Sequence, residues 1–196
     1  MTGWLVCDYG EVLSQRQPDD DRAELVGRSG LGESLFWQRY WQHRPDYDRS
    51  AVGVHAYWGQ VLGGAPSDAQ LEALVRIDVA SWCYQNPAAV AAALRAAGRG
   101  YRLALLSNAP IEVARAIEQL PWLSEFTPRI FSCDIGAVKP DPAIYRSVIA
   151  TLGADPGSIV FVDDRSENVS SAARLGMRAV LFTEPSVFDG LPPAPP

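Results

Sequence analysis

Short apolar runs alternate with amphipathic segments along most of this chain. Five runs have the length of a strand and lack an alternation of polar residues, which is typical of strands buried on both faces: residues 4–7, 102–106, 129–133, 159–162 and 178–182. Between them, apolar residues recur at helical spacing in segments that begin at Asn86, Asp141 and about Asn168. Strands that alternate with helices indicate an α/β fold with a doubly wound parallel (Rossmann-like) sheet.

The stretch from residue 16 to residue 85 has a different pattern, without any strand-like run. Apolar residues, many of them aromatic, recur at helical spacing over residues 33–43 and 51–62, and Ser67 with Gln70 has the form of a capping box before a third helix. We therefore predict an all-helical cap domain over residues 16–85, inserted into a core domain formed by residues 1–15 and 86–196. The tail after Phe188 is expected to fray, since it is rich in prolines: Pro192, Pro193, Pro195 and Pro196.

The amino-acid composition of the chain argues against several classes of binding partner. The 196 residues carry 23 acidic and 17 basic side chains, for a net charge of −6, and no basic run is present, so a nucleic-acid partner is disfavoured. No apolar run approaches the roughly 20 residues of a membrane span, and the first residues do not form a signal sequence. We expect a cytoplasmic monomer or homodimer without a membrane partner. The three cysteines have no metal-ligand spacing, so no zinc site is expected.

Polar residues follow the predicted strands, at the edge of the sheet where ligands bind in such folds. Asp8 ends the first strand, Ser107-Asn108 the second and Asp163-Asp164 the fourth, while Lys139 follows the third. Each of them alone fits a turn, a helix cap or a surface position. Together, and in this order, they predict one site. Clustered carboxylates require a cation, for which Mg²⁺ suits oxygen ligands, and lysine with hydroxyl donors suits an anion such as phosphate.

Four segments of the sequence resemble the motifs of the haloacid dehalogenase-like (HAD) hydrolase superfamily. They are residues 6–13 (VCDYGEVL), 105–108 (LLSN), 138–142 (VKPDP) and 160–168, which begins VFVDDR and ends at Asn168. The closest resemblance is to the phosphatase-rich subfamily I, in which a helical cap follows the first strand. This resemblance covers nearly the whole chain and implies a small phosphorylated molecule as substrate.

The resemblance also implies a role for each motif residue. Asp8 would be the nucleophile that forms an aspartyl-phosphate, assisted by the catalytic charge of Lys139. The phosphate-binding residues would be Ser107, Asn108 and Lys139. The cofactor would be Mg²⁺, held by Asp8, the backbone carbonyl of Gly10, Asp164 and Asp163, with Asn168 beside them.

One position departs from the family pattern. Most phosphatases of the family carry a second Asp two residues after the nucleophile, which protonates the leaving alcohol and later activates water. Here that residue is Gly10. A general acid of this kind is typically worth about 10²–10⁴-fold in rate. Glu11, Tyr40 and Tyr47 are the candidates to replace it.

The cap is expected to choose the substrate. Tyr40, Arg44 and Tyr47 lie at or after the end of the helix predicted over residues 33–43, and we consider them as substrate contacts. A solvated helix end followed by a turn at Pro45 explains them equally well. The aromatic stripe itself is interpreted as the core of the cap.

Three functions remain open at this level. A Mg²⁺-dependent phosphomonoesterase is favoured. A 2-haloacid dehalogenase would use the same aspartate without a metal or an acid, which explains Gly10 more easily, but Asp163-Asp164 argues against it. A non-enzymatic relative that binds a phosphorylated ligand has Gly10 as its only support.

Overall fold

The structure, a computed structural model, describes residues 3–194. Five strands form one parallel sheet in the order β3-β2-β1-β4-β5, which confirms the predicted α/β class. The strands are β1 (Trp4–Asp8), β2 (Arg102–Ser107), β3 (Arg129–Phe131), β4 (Ile159–Asp163) and β5 (Arg178–Leu181).

Helices connect the strands and cover both faces of the sheet. Within the described residues they are α1 (Asp19–Ser29), α2 (Glu33–Asp48), α3 (Val54–Leu62), α4 (Asp68–Ser81), α5 (Pro87–Ala97), α6 (Ile111–Glu118), α7 (Ser132–Ile135), α8 (Pro142–Leu152), α9 (Ser166–Arg174) and α10 (Ser186–Asp189). No helix in residues 3–194 combines the length and the apolar character needed to cross a membrane.

The central strand β1 contributes to two apolar layers, because successive side chains of a strand point to opposite faces. Leu5 and Cys7 pack in the layer that contains α5, α6 and α10, and Trp4 and Val6 pack in the layer that contains α8 and α9. All five residues of β1 are buried. The sheet is therefore covered on both sides, and its polar chemistry is confined to the strand ends.

The four helices α1–α4 lie between β1 and α5 in the chain and share a third apolar cluster, in which Phe36, Tyr57 and Trp58 are fully buried. The two connections to the sheet run side by side. Ser14 and Gln85 form an isolated antiparallel bridge, and the Asn86 backbone N–H donates to the Leu13 carbonyl at 2.8 Å. The helical segment thus leaves and rejoins the sheet at one place.

Several predicted elements need correction. The third run ends as a strand at Phe131, and Ser132 begins α7. Helix α2 continues through Pro45 to Asp48, so Arg44 and Tyr47 lie inside it rather than at or beyond its end. The sequence did not predict helices α1, α6, α7 and α10.

The prediction of a frayed tail is also wrong over the described residues. Phe188 is fully buried, Leu191 is nearly so, and the Tyr101 hydroxyl donates to the Pro192 carbonyl at 2.9 Å. The tail therefore packs on the core at least as far as Pro192. Pro195 and Pro196 lie outside the described residues.

Candidate active site

A cavity of about 490 Å³ lies at the carboxyl ends of β1, β2 and β4. The register of the parallel sheet explains why the motif residues meet there: Cys7 pairs with Leu105 on one side and with Val162 on the other, so the three strands end at the same level. The sequence-predicted residues on its wall are Asp8, Gly10, Ser107, Asn108, Lys139, Asp164, Asn168 and Arg44. The structure thus brings together residues that are up to 160 positions apart in the chain.

Lys139 is the centre of the buried charge cluster. Its Nζ lies 2.6 Å from Asp8 Oδ1, 2.7 Å from Asp163 Oδ2 and 3.4 Å from the Leu106 carbonyl oxygen, so each of its three protons has an acceptor. Burial opposes the charged ammonium, but Asp163 and Asp8 outweigh it and raise the pKa of Lys139. Lys139 is therefore a permanent cation in contact with the proposed nucleophile.

Asp8 is buried at the end of the central strand. Its Oδ1 accepts a hydrogen bond from the Tyr9 backbone N–H at 2.6 Å in addition to the contact with Lys139. Burial raises the pKa of Asp8, and Lys139 acts in the opposite direction. The positive charge of Lys139 thus offsets only part of the effect of burial, and the pKa of Asp8 remains above its usual value.

Asp163 and Asp164 are neighbours in the chain with different surroundings. Asp163 is fully buried: its Oδ1 accepts from the Arg165 N–H and from Asn168 Nδ2, both at 2.9 Å, while its Oδ2 contacts Lys139. Burial alone would raise the pKa of Asp163, but Lys139 and these hydrogen bonds lower it. Asp163 is therefore committed to holding Lys139 and Asn168.

Asp164 faces the cavity. It is half-buried and lies on the cavity wall, where no side chain is hydrogen-bonded to it among residues 3–194. Burial and the negative charge of Asp163 raise the pKa of Asp164. Of the two adjacent carboxylates, Asp164 is the one that is free to bind a ligand.

The carboxylates fit a divalent cation. Asp8, Asp163 and Asp164 each offer an oxygen, and these oxygens lie within 4.8 Å of one another. Oxygens around Mg²⁺ lie about 3–4 Å apart, since each is roughly 2.1 Å from the ion. When all three carboxylates are ionised, they and the Lys139 ammonium carry two net negative charges, which is the charge that one Mg²⁺ neutralises.

The side chains of Asn108 and Ser107 differ in how many hydrogen bonds they make within the protein. Asn108 Nδ2 donates to the Lys139 carbonyl at 3.0 Å, and its Oδ1 accepts from the Lys139 N–H at 2.8 Å. Asn108 therefore fixes the backbone that carries Lys139. Within the described part of the chain, the Ser107 hydroxyl makes a single long contact of 3.5 Å, with the Asn108 carbonyl, so it is available to a ligand in the cavity.

Gly10 lies in a turn, Tyr9–Leu13, that follows directly on Asp8. Its φ of −63° is accessible to any residue, whereas Glu11 next to it has a φ of 57°. A Cβ atom built on Gly10 would lie 3.7 Å from Cζ3 of Trp82, which is an ordinary van der Waals contact. The backbone of this turn therefore does not require glycine.

The structure corrects the predicted substrate contacts of the helical segment. Tyr40 and Tyr47 are buried away from the cavity wall, where the Tyr40 hydroxyl donates to Asp78 at 2.6 Å and the Tyr47 hydroxyl donates to Glu112 at 2.7 Å. Both hydroxyls are thus in use elsewhere, and of the three candidates to replace the missing acid only Glu11 lines the cavity.

Arg44 does reach the cavity wall, but its charge is already paired. Its Nε lies 2.7 Å from Asp48 Oδ1 and its Nη1 3.2 Å from Asp78 Oδ2, and the residue is only 5% exposed. Arg44 also donates to the Tyr40 hydroxyl. These contacts make it a link between α2 and α4.

Among the wall residues that the sequence did not predict are two tryptophans. Trp41 and Trp82 line the cavity, although the aromatic stripe of this segment was interpreted as core. No signal in the spacing distinguishes Trp41 from its buried neighbours Phe36 and Tyr40, because all three follow the same helical pattern.

A family model described as haloacid dehalogenase-like hydrolase matches residues 10–176. The chain belongs to this family of hydrolases. The resemblance seen in the four motifs is therefore confirmed at the level of the superfamily.

Curated relatives of this HAD-like chain include phosphatases. Phosphatase MT3486 of Mycobacterium tuberculosis is 36% identical over 110 residues, which cover 55% of this chain and 51% of that protein. The phosphoserine phosphatase of Thermus thermophilus is 32% identical over 183 residues, which cover 87% of this chain and 70% of that protein. The chain spans about half the length of the mycobacterial phosphatase and a fifth or less of the bifunctional epoxide hydrolases that it also matches.

Solved structures share the fold of this HAD-like chain. A HAD family enzyme of Bacteroides thetaiotaomicron, in complex with magnesium and inorganic phosphate, has a TM-score of 0.69 at 18% identity and covers 92% of this chain and 94% of its own. A dehalogenase has the same TM-score and identity, covering 98% of this chain and 88% of its own. At this level of identity both similarities establish the fold alone.

Proposed function

We propose that this HAD-like chain is a Mg²⁺-dependent phosphomonoesterase that acts on a small phosphorylated metabolite through an aspartyl-phosphate on Asp8. The observation that carries the proposal is the contact of Asp8 with the Lys139 cation at 2.6 Å, in the cavity that Asp164 and Ser107 also face. The names of the phosphatase relatives support it.

The proposed reaction has two steps at phosphorus. A carboxylate oxygen of Asp8 attacks the phosphorus atom, and the bond between phosphorus and the ester oxygen breaks, with its electron pair leaving on that oxygen. Water then attacks phosphorus, the bond to Asp8 breaks, and inorganic phosphate is released while the carboxylate is regenerated. The Ser107 hydroxyl binds and orients a phosphoryl oxygen, and the nearby Lys139 ammonium offsets the charge of the phosphoryl group that it helps to bind.

Asp8, Asp164 and the backbone carbonyl of Gly10 are the residues that we assign to Mg²⁺. When bound, this ion supplies charge stabilisation for a phosphoryl group in transfer. Asp163 supports the site by its contacts with Lys139 and Asn168.

We also assign residues 16–85 the role of a cap domain over residues 1–15 and 86–196. Trp41, Arg44 and Trp82 of this segment line the same cavity as Asp8, which supports a role in choosing the substrate. Tyr47 contacts Glu112 of α6, and the Ser132 hydroxyl donates to the Asp48 carbonyl at 2.6 Å. These contacts attach the segment to the sheet domain beside the cavity.

Asp8→Asn tests the proposal directly. The amide has the shape of the carboxylate but is a poor nucleophile, so we expect the loss of at least 99% of phosphomonoester turnover with an unchanged melting temperature or a slightly higher one. A panel of phosphomonoesters is assayed by phosphate release with Mg²⁺ and with EDTA, and Asp68→Asn on the exposed start of α4 is the matched control. Turnover that survives Asp8→Asn or EDTA would contradict the mechanism.

Gly10 favours one alternative, since a dehalogenase needs no acid for its leaving group. In that case Asp8 would attack the carbon that bears the halogen, and halide would leave. The same panel therefore includes 2-chloropropionate with a chloride readout. Chloride release that is insensitive to EDTA, without phosphate release from any ester, would contradict the phosphatase proposal and support the dehalogenase.

A further inference from the structure

Two tryptophans of the helical segment form an aromatic wall in the cavity that contains Asp8. Trp41 lies on α2, and Trp82 follows directly on α4. Their rings are perpendicular at 81°, with centroids 6.4 Å apart. Trp41 is 46% exposed, whereas Phe36 and Tyr40 on the same helix are fully buried. An indole that faces a cavity instead of the core is available to a ligand.

The position of Trp82 is fixed by its neighbours. Its Nε1 donates to the Tyr40 hydroxyl at 3.3 Å, and its backbone carbonyl accepts from the Tyr9 hydroxyl at 2.6 Å. Tyr40 is in turn held by Asp78 and Arg44. The ring is therefore held in place before any ligand binds, which lowers the entropy cost of using it for recognition.

The aromatic wall adjoins the place from which the acid is missing. Cζ3 of Trp82 lies 3.7 Å from the point where a side chain on Gly10 would begin. A leaving oxygen in this region has an aromatic ring nearby and no carboxylic acid from residue 10. Leaving groups that depart without a proton are those whose anion is already stabilised, as in a phenolate.

Both observations favour the same kind of leaving group. We propose that Trp41 and Trp82 form a subsite for a planar aromatic leaving group, so that the substrates are phosphate esters of aromatic hydroxyls. This inference rests on the proposed phosphatase function for its chemistry. In the reaction the phosphorus–oxygen bond breaks, the phenolate leaves with the electron pair, and solvent water protonates it.

Binding tests the subsite without turnover. Benzylphosphonate resembles phenyl phosphate but has a methylene in place of the ester oxygen, and propylphosphonate has the same head without the ring. Stacking on tryptophan predicts that the wild-type protein with Mg²⁺ binds benzylphosphonate about 3- to 10-fold more tightly in calorimetry. We expect Trp41→Leu to remove most of this ratio and Leu35→Ala, on an exposed apolar position of the same helix, to retain it.

Kinetics tests the link to catalysis. Acetyl phosphate has a good leaving group without a ring, so Trp41→Leu and Trp82→Leu are expected to lower kcat/KM for phenyl phosphate about 3- to 10-fold more than for acetyl phosphate. Trp41 is exposed, so its variant does not depend on the repacking that Trp82→Leu requires.

The outcomes separate the two proposals. A wild-type protein that binds both phosphonates equally, or neither, or a Trp41→Leu variant that keeps the wild-type ratio, overturns the aromatic subsite. A preference for benzylphosphonate that is lost in Trp41→Leu supports the subsite even if no ester is hydrolysed, in which case the phosphatase proposal alone fails. Hydrolysis that favours alkyl over aryl esters leaves the phosphatase in place and overturns the inference.

Discussion

Asp163 and Asp164 differ by one position in the chain, yet the structure gives them separate tasks. Both oxygens of Asp163 are occupied by Lys139, Asn168 and the Arg165 N–H, whereas the Asp164 carboxylate faces the cavity. Two adjacent residues at the end of a strand point to opposite faces, so only one of them can enter the site from a given side. This difference is open to a direct test.

We expect Asp164→Asn to raise the Mg²⁺ concentration needed for half-maximal activity by more than 10-fold, because it removes a free oxygen ligand. Asp163→Asn places an amide donor against the Lys139 ammonium and is expected to lower kcat mainly, with a smaller change in the Mg²⁺ requirement. Magnesium titrations of phosphate release, on both variants at one pH, provide the comparison. An equal or larger change in Asp163→Asn would make Asp163 a ligand instead.

That the motif residues lie together could be predicted from the sequence, but the contacts of their side chains could not. The carboxyl ends of parallel strands lie at one edge of the sheet, regardless of which side chains they carry. The topology alone therefore predicts that Asp8, Lys139 and Asp164 lie together. The engagement of Asn108 with the Lys139 backbone, and of Tyr40 with Asp78, depends on rotamers and on partners far away in the chain. Residue spacing carries no information about those partners.

Gly10 allows a gain-of-function prediction. Because its φ is −63° and the Cβ position is free of clashes, Gly10→Asp should fold without backbone strain. If the new carboxyl reaches the leaving oxygen, turnover of alkyl phosphates rises by up to about 10²-fold, while aryl phosphates, which need no acid, change less.

Gly10→Asn is the matched control for that variant, since it has the same shape beside Trp82 but cannot act as an acid. Alkyl and aryl esters are compared within each variant, so that differences in folding cancel. A wild-type protein that already cleaves a sugar phosphate as fast as an aryl phosphate would mean that another group donates the proton, and Glu11 on the cavity wall would be examined next.

At the scale of elements, the helical segment is tied together by a buried charge network between α2 and α4. Arg44 pairs with Asp48 on its own helix and with Asp78 on α4, and Tyr40 completes the group. Burial raises the pKa of Asp48, and Arg44 opposes this rise. A charge removed from such a network leaves its partners buried without compensation.

Arg44→Met is therefore expected to cost about 3–5 kcal/mol of the free energy of unfolding, measured by urea titration. Arg44→Lys, which keeps the charge but loses the paired geometry, is expected to lose less. A second change, Asp48→Asn, should restore part of the loss in Arg44→Met, since it removes the unpaired carboxylate. Arg44→Met with wild-type stability and only a raised KM would return Arg44 to the role of a substrate contact.

The elements that the sequence predicted well are those with a strong apolar period and clear ends. Helix α5 is an example, since it begins after Asn86, whose side chain accepts from the Ala89 N–H, and has Pro87 at its first position. Helix α1 was missed because Leu25 is its only buried apolar residue. The packed tail was missed because its prolines suggested a loop, and the burial of Phe188 depends on α5 and the sheet, which local sequence does not reveal.

At the scale of the whole molecule, the clustering of acidic groups lowers the stability of the folded state. Asp8, Asp163 and Asp164 lie close together in a poorly solvated place, and Lys139 balances only one of their charges. The same concentration of negative charge is what makes the site suited to a divalent cation. Binding to the folded state alone must then stabilise the fold.

We expect Mg²⁺ to raise the melting temperature of the wild-type protein by about 5–10 °C when present at roughly 100 times its dissociation constant. Such binding adds about 2.7 kcal/mol to the free energy of unfolding, and a chain of this size gains about 2–4 °C for each kcal/mol.

Asp164→Asn should change both the stability of the metal-free protein and its response to Mg²⁺. Without metal it should melt at or above the wild-type temperature, because one repelling carboxylate is gone, and with Mg²⁺ its gain should be smaller. Differential scanning calorimetry at fixed ionic strength, with NaCl replacing MgCl₂ in the reference, excludes simple screening. An equal gain in wild type and Asp164→Asn, with Asp68→Asn as the control, would show that Mg²⁺ does not bind at this cluster.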